Sequence, residues 1–241
     1  MGPGERALHV VPRAVWVMLL AALGTQIAWQ AMQPKPVASA AALTAPPPVA
    51  ALRVASAGEP VVLAQLMTLY LQAFDNQPGI SIPFRDLDYQ RVTQWLATIL
   101  SLDPVGQYPL LMAAQVYSQV PDPTRERLML EFVHEQFLRD PNRRWRWLAH
   151  AALVAKHRLH DDALALRYAR EIARFAPAAP GWARQIHIFI LEDIGELESA
   201  KILLGGLLAS GEIKDERELH FLNERLDTMK NAEKPAPATK N

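Results

Sequence analysis

The stretch Ala165-Leu-Arg-Tyr-Ala-Arg-Glu-Ile-Ala-Arg-Phe-Ala-Pro177 decides how the chain is read. Its apolar residues at Ala165, Tyr168, Ala169 and Ala173 follow the i, i+3, i+4, i+8 spacing that lines one face of an α-helix. Proline comes at i+12, where a helix must stop, because the residue before a proline is pushed out of the helical region. The same pattern recurs with Val92, Met129 and Ala200 in the first position. Three residues on stand Trp95, Phe132 and Leu203; four on, Leu96, Val133 and Leu204; eight on, Leu100, Phe137 and Leu208. Pro104 and Pro141 close two of these units, and the fourth has no proline. The units are spaced by 37, 36 and 35 residues, a period that belongs to arrays of helix pairs, which bury a continuous core only by stacking. Trp95, Phe132, Tyr168 and Leu203 are therefore expected between paired helices.

Each of these helices has an antiparallel partner upstream, in residues 61–76, 107–119, 144–158 and 181–194. Asp122-Pro123 supplies an N-cap and a first-turn proline, and Asp161 is placed to cap the third unit's second helix. Asp88, with Asp86 and Arg85, reads as a capping group for the first. A last helix over 215–230 starts with Asp215 and Glu218 in capping-box spacing and alternates charges on one side, as suits a helix covering the end of a stack. Gln136 interrupts one apolar face. The apolar loop Pro78-Gly79-Ile80-Ser81-Ile82-Pro83-Phe84 is expected to tuck against the first unit as a cover, with a partner contact as the alternative. No stretch argues for a strand.

The unit from Ala165 to Pro177 resembles the second helix of a tetratricopeptide repeat, as does the run from Val92 through Ser101-Leu102-Asp103-Pro104. Ile194-Gly195-Glu196-Leu197-Glu198-Ser199-Ala200 is similar to that family's inter-helix turn, and Trp147 and Trp182 sit near the tryptophan of its first helix. The resemblance spans residues 61–209 and implies an all-α fold: a short right-handed α-solenoid of about four helix pairs. Membrane-anchored proteins of this architecture are assembly or chaperone-associated factors in the bacterial periplasm, so a bacterial scaffold of that kind is what it implies here. The Ala- and Arg-rich usage suits a GC-rich bacterial genome.

The N-terminal sixty residues have a different character. Residues 14–34 carry no formal charge and as a helix reach roughly 31 Å, the thickness of a hydrocarbon core. Trp16 and Trp29 lie near its ends, where amphipathic rings favour the interface, and Arg6 and Arg13 precede it while only Lys35 follows closely. This bias predicts a cytoplasmic segment 1–13, a single pass across the inner membrane and an exported C-terminal domain. The rival is a signal peptide cleaved at Ala38-Ser39-Ala40. Residues 35–60, rich in Ala, Pro and Val, read as an extended spacer, 61–230 as the repeat domain, and 231–241, with Lys234-Pro235-Ala236-Pro237, as a disordered tail.

Charge and chemistry narrow the function. Lys plus Arg and Asp plus Glu balance at 25 each, and with four basic and two acidic groups in the first sixty residues the rest is slightly acidic. That balance, with export, speaks against nucleic acid and so against a pentatricopeptide-like RNA binder, the other array with a 35-residue period. There is no cysteine, hence no thiolate site or thiol nucleophile. No G-x-S-x-G, P-loop, G-x-G-x-x-G or H-E-x-x-H occurs. Glu131-Phe-Val-His134 matches one element of a di-iron site but has no second copy, and His157, His160 and Asp161 read as a polar turn. No cofactor and no metal is expected. An enzyme built on a helical-repeat scaffold is the alternative, and it would need convergent ionisable groups.

The strongest local feature is Arg143-Arg144-Trp145-Arg146-Trp147, with His150 one turn on. Arginine forks pair with carboxylates and tryptophans anchor interfaces, so Arg143, Arg144, Arg146, Trp147 and His150 are the candidate partner-binding residues. The partner they suit is a protein or peptide with acidic side chains or a free C-terminal carboxylate. The other reading is a solvated basic face with core tryptophans.

Overall fold

The computed structural model describes residues 12–33, 40–211 and 213–232. Two compact units divide the chain: Met1–Ala40 with Pro78–Ile80, and Ala41–Gln77 with Ser81–Asn241. In the first, Arg13–Met32 forms one helix, α1, with no buried residue. It is long and apolar enough to span a membrane, a character that a signal sequence shares. The expected cytoplasmic N-terminus through residue 11, positions 34–39 with Ala38-Ser39 of the alternative cleavage site, and the tail from 233 lie outside the described residues.

A two-stranded hairpin, β1 (Asn76–Gln77) and β2 (Ile80–Ser81), forms in the segment read as strand-free, and the second unit is helical. Its helices are α2 (Val49–Ala55), α3 (Pro60–Ala73), α4 (Tyr89–Leu102), α5 (Tyr108–Leu111), α6 (Pro123–Arg139), α7 (Pro141–His157), α8 (Asp162–Phe175), α9 (Gly181–Asp193), α10 (Leu197–Ser210) and α11 (Glu216–Ala232). The expected spacer needs correcting. Only its first residues lie outside this unit, because Leu43 and Leu52 are buried in the core, α2 is a helix, and the Trp95 Nε1–H donates to the Thr44 carbonyl at 2.8 Å. An Ala/Pro-rich composition leaves a segment extended only while nothing apolar is there to receive it. Here two leucines and a tryptophan N–H supply the contacts.

Start and stop signals act as the residues dictate. Asp88 accepts from the backbone N–H groups of Gln90 and Arg91, Asp122 from those of Thr124 and Arg125, and Asp161 from that of Leu164. Asp86 and Arg85 are exposed and cap nothing. Asp215 caps α11 through Arg217 and Glu218, but the Glu218 carboxylate does not complete a capping box; it accepts from Gln185 Nε2 on α9 at 2.7 Å. Helix α10 has no proline after it and ends on Gly211, whose φ of +68° is left-handed.

Burial follows the aligned positions. Val92, Met129, Ala165 and Ala200 are fully buried, as are Leu96, Val133, Ala169 and Leu204. Trp95, Phe132 and Tyr168 are buried too, but Leu203 is 40% exposed. It lines a cleft of about 310 Å³ with Leu207, Ile188, His187 and Glu218. Each helix from α6 onward packs on its neighbour in sequence, α3 packs on α4, and additional contacts join α4 to α6 and α7 to α9. Between α4 and α6 the chain runs α5, a π turn over Met112–Val116 and a 3₁₀ turn over Tyr117–Gln119, so the expected helix over 107–119 changes its winding twice. In the apolar loop, Ile82 packs half-buried against the core and the Phe84 ring meets Tyr117 edge-on at 5.7 Å.

Candidate functional site

Helix α7 sorts the five candidate residues by where a 3.6-residue turn sends them. Arg144 is 4% exposed and belongs to the interior, a correction to its expected place on a binding surface. Its Nη1 donates to the Gln136 carbonyl at 2.8 Å and to Gln136 Oε1 at 3.2 Å, and its Nη2 to the Pro104 carbonyl at 2.9 Å. This tie joins the end of α6 to the proline-marked exit of α4, and it explains why a buried glutamine interrupts the apolar face of α6. Burial pushes the guanidinium below its ordinary value, and the Arg139 and Arg143 charges reinforce that against the opposing pull of Asp140.

Trp147 is likewise buried, its Nε1–H donating to Gln107 Oε1 at 2.6 Å, so it is a packing residue and offers no ring to a partner. His150 is half-buried, and burial lowers its pKa. Arg143 and Arg146 are exposed. The Arg143 Nε–H donates to Asp140 at 2.9 Å, and the Arg146 guanidinium lies over the Trp145 ring, 5.7 Å from its centre. Trp145 meets Trp182 of α9 edge-on at 5.4 Å, and Trp182 is 57% exposed. Neither ring was among the five expected partner-binding residues, although Trp145 lies inside the cluster at 143–147 and Trp182 was matched to the repeat's tryptophan. The signal was available: Asn142, Arg146 and Leu153 fall on one stripe of a helix that starts at Pro141, and Trp145 flanks it.

A wider asymmetry surrounds this cluster. Helices α3, α5, α7 and α9, the first of each pair, expose Leu66, Leu69, Tyr108, Leu153 and Trp182. The second helices α4, α6 and α8 turn Gln94, Arg127, Glu131, Arg167 and Arg170 outward, with Leu138 and Phe175 exposed only near their ends. Helix α10, which exposes Ile202 and Leu203, departs from this division. Phe221 of α11 extends the first-helix set, its ring 6.2 Å from that of Phe189 on α9. Between α3 and α5 a cleft of about 510 Å³ is walled by Gln65, Leu69, Gln72, Tyr108 and Pro109.

Several ionisable groups elsewhere bridge helices. His134 pairs with Glu171 across α6 and α8 and stacks on Tyr168, whose phenol burial pushes up to about 12. The Arg127 fork donates to Asp161 at 2.7 Å, and that bond, with the capping N–H of Leu164, holds the Asp161 carboxyl below its usual range. Arg158 binds Glu126 and Gln119. Among the described residues no three His, Asp or Glu side chains converge as metal ligands. The chain matches no family model, no curated protein and no solved structure.

Proposed function

We propose that the chain is a non-enzymatic interaction module: a short right-handed, tetratricopeptide-like solenoid held at the inner membrane by α1. Its N-terminus lies in the cytoplasm and its helical domain in the periplasm, where it acts as a scaffold or assembly factor for exported proteins. The observation that carries this reading is the Arg146–Trp145–Trp182 cluster at the surface of α7 and α9, with Arg143 beside it. Exposed aromatic rings beside arginine mark docking surfaces. A guanidinium held over an indole, next to a second exposed indole, suits an extended peptide carrying acidic side chains or a free carboxylate.

Photo-crosslinking groups placed in membranes at Leu153 or Trp182, and in parallel at Glu131 or Arg170, test the reading. Adducts to exported proteins are expected from the first pair of positions only, and Arg146→Glu should lower their yield. Equal labelling from both faces, or an unchanged yield in Arg146→Glu, overturns the assignment of the face. A C-terminal reporter that is active only in the cytoplasm overturns the topology.

A further inference from the structure

Among the described residues, helix α3 leaves an apolar face exposed, with Leu69 at the rim of the cleft it shares with α5. Its inner side, Ala64, Met67, Thr68 and Leu71, is buried against the domain, while Val62, Leu66 and Leu69 stand 52, 56 and 60% exposed one turn apart. The whole helix, Pro-Val-Val-Leu-Ala-Gln-Leu-Met-Thr-Leu-Tyr-Leu-Gln-Ala, holds no charged residue. Tyr70 stands at its edge, half-exposed, with its ring 5.0 Å from that of Trp95. Taken together, α2 and α3 are apolar enough to pass for a membrane-crossing segment, but a 114° bend between them rules out a straight span.

The covalent path from α1 bounds where this face can go. The folded domain begins at Ala41, whose N–H donates to Gln77 Oε1 at 2.8 Å while Gln77 Nε2 donates back to the Ala41 carbonyl and to Phe74, the residue that ends α3. Only residues 33–40 separate that root from the last residue of α1, a path of about 30 Å at full extension. The spacer expected over 35–60 would have reached roughly three times as far, so the shorter path holds the domain closer to the bilayer.

We propose that the exposed face of α3 rests on the lipid surface, with Val62, Leu66 and Leu69 in the interfacial region and Tyr70 at headgroup level. This rests on the reading of α1 as a retained membrane span. A helix about 21 Å long and about 10 Å wide offers far less than the ~800 Å² per partner of a stable protein interface, which argues against a second copy of this chain as the occupant. A lipid surface needs no such area, because the short tether keeps the face at high effective concentration. The absence of charge removes the largest desolvation cost of contact, that of an ion, and leaves that of Gln65.

The chain has no cysteine, so single labels are placed without background. Full-length protein with Leu20→Cys, Leu66→Cys, Leu69→Cys or Gln94→Cys, each carrying an environment-sensitive fluorophore, is reconstituted at one copy per phosphatidylethanolamine–phosphatidylglycerol nanodisc containing nitroxide-labelled lipid. Labels at 66 and 69 are expected to shift to the blue and to be quenched by the lipid nitroxide, while the label at 94 on α4 stays in water. Leu66→Glu combined with Leu69→Cys should return the label to water with unchanged melting. Quenching at 20 with none at 66 and 69 overturns the docking and leaves the anchor standing. Shielding at 66 and 69 only at two copies per disc assigns the face to a second copy and also overturns it. No quenching at 20 removes the anchor, and the docking falls with it.

Discussion

Arg144 and Arg146 stand two positions apart on α7, hence about 200° apart around its axis, and that separation gives them unrelated roles. Arg144 satisfies the carbonyls of Gln136 and Pro104 from inside, so Arg144→Ala is expected to cost about 2–4 kcal/mol by leaving those acceptors unpaired. Arg146→Ala, at an exposed position, should fall within about 0.5 kcal/mol of the parent. Urea midpoints of the two variants check the contrast, and equal losses would refute it. A partner-capture experiment that replaces both arginines would mix unfolding with lost binding, which is why Arg146→Glu alone belongs in it. Protonation gives a second prediction at this scale. Burial lowers the pKa of His150 and of His187, whose Nδ1–H donates to the Arg184 carbonyl at 2.8 Å. The unfolded chain therefore binds protons that the folded one refuses, and stability that is complete above the ordinary value of 6.5 declines as pH falls through it. His187→Gln should flatten the fall in urea midpoint between about pH 7.5 and pH 5.5, the window below and above the ordinary histidine value. An unchanged slope would place the sensitivity elsewhere.

Within the elements, the alignment of the four second helices places Trp95, Phe132 and Tyr168 at the right depth but not Leu203, and in its last column Leu100 and Phe137 are buried while Ala173 and Leu208 are half-buried. Phe132 is buried where α6 meets its neighbours, so Phe132→Ala should cost about 3–5 kcal/mol. Leu203 holds the same place in the pattern on α10 but opens onto a cleft, and Leu203→Ala should cost less than about 1 kcal/mol. Thermal or chemical denaturation separates the two. Comparable losses would mean that Leu203 is packed in solution. The division has a physical cause: α6 packs on α4, α7 and the π and 3₁₀ turns that precede it, whereas α10 packs on α9 and the terminal α11, which leave more of it uncovered.

Across the whole molecule, the boundary between anchor and domain is the largest correction to the reading from residues alone. A chain starting at residue 41 keeps Leu43, Leu52 and the Thr44 carbonyl that receives Trp95. One starting at 61 strips all three. The first should unfold cooperatively, and the second should lose at least about 3 kcal/mol, since burying a leucine contributes about 1.5–3 kcal/mol. Equal denaturation midpoints for the two truncations would show that residues 41–60 are a mere spacer after all.

The all-helical class, the apolar N-terminal helix, the phase of the second helices and the aspartate caps of α4, α6 and α8 are legible in the residues alone. These rest on local chemistry: a 3.6-residue period, a carboxylate one residue before a helix, a proline that no helix tolerates in its interior. Which residues of Arg143-Arg144-Trp145-Arg146-Trp147 meet solvent is set by packing, because it depends on which side of α7 its neighbours occupy. The same holds for the Ala/Pro-rich segment, whose composition is extended in isolation and folded once Trp95 and the core beside it are present to bind it. The exposed face of α3 was equally invisible in its letters, since an apolar helix shows the same composition whether one side of it is covered or both.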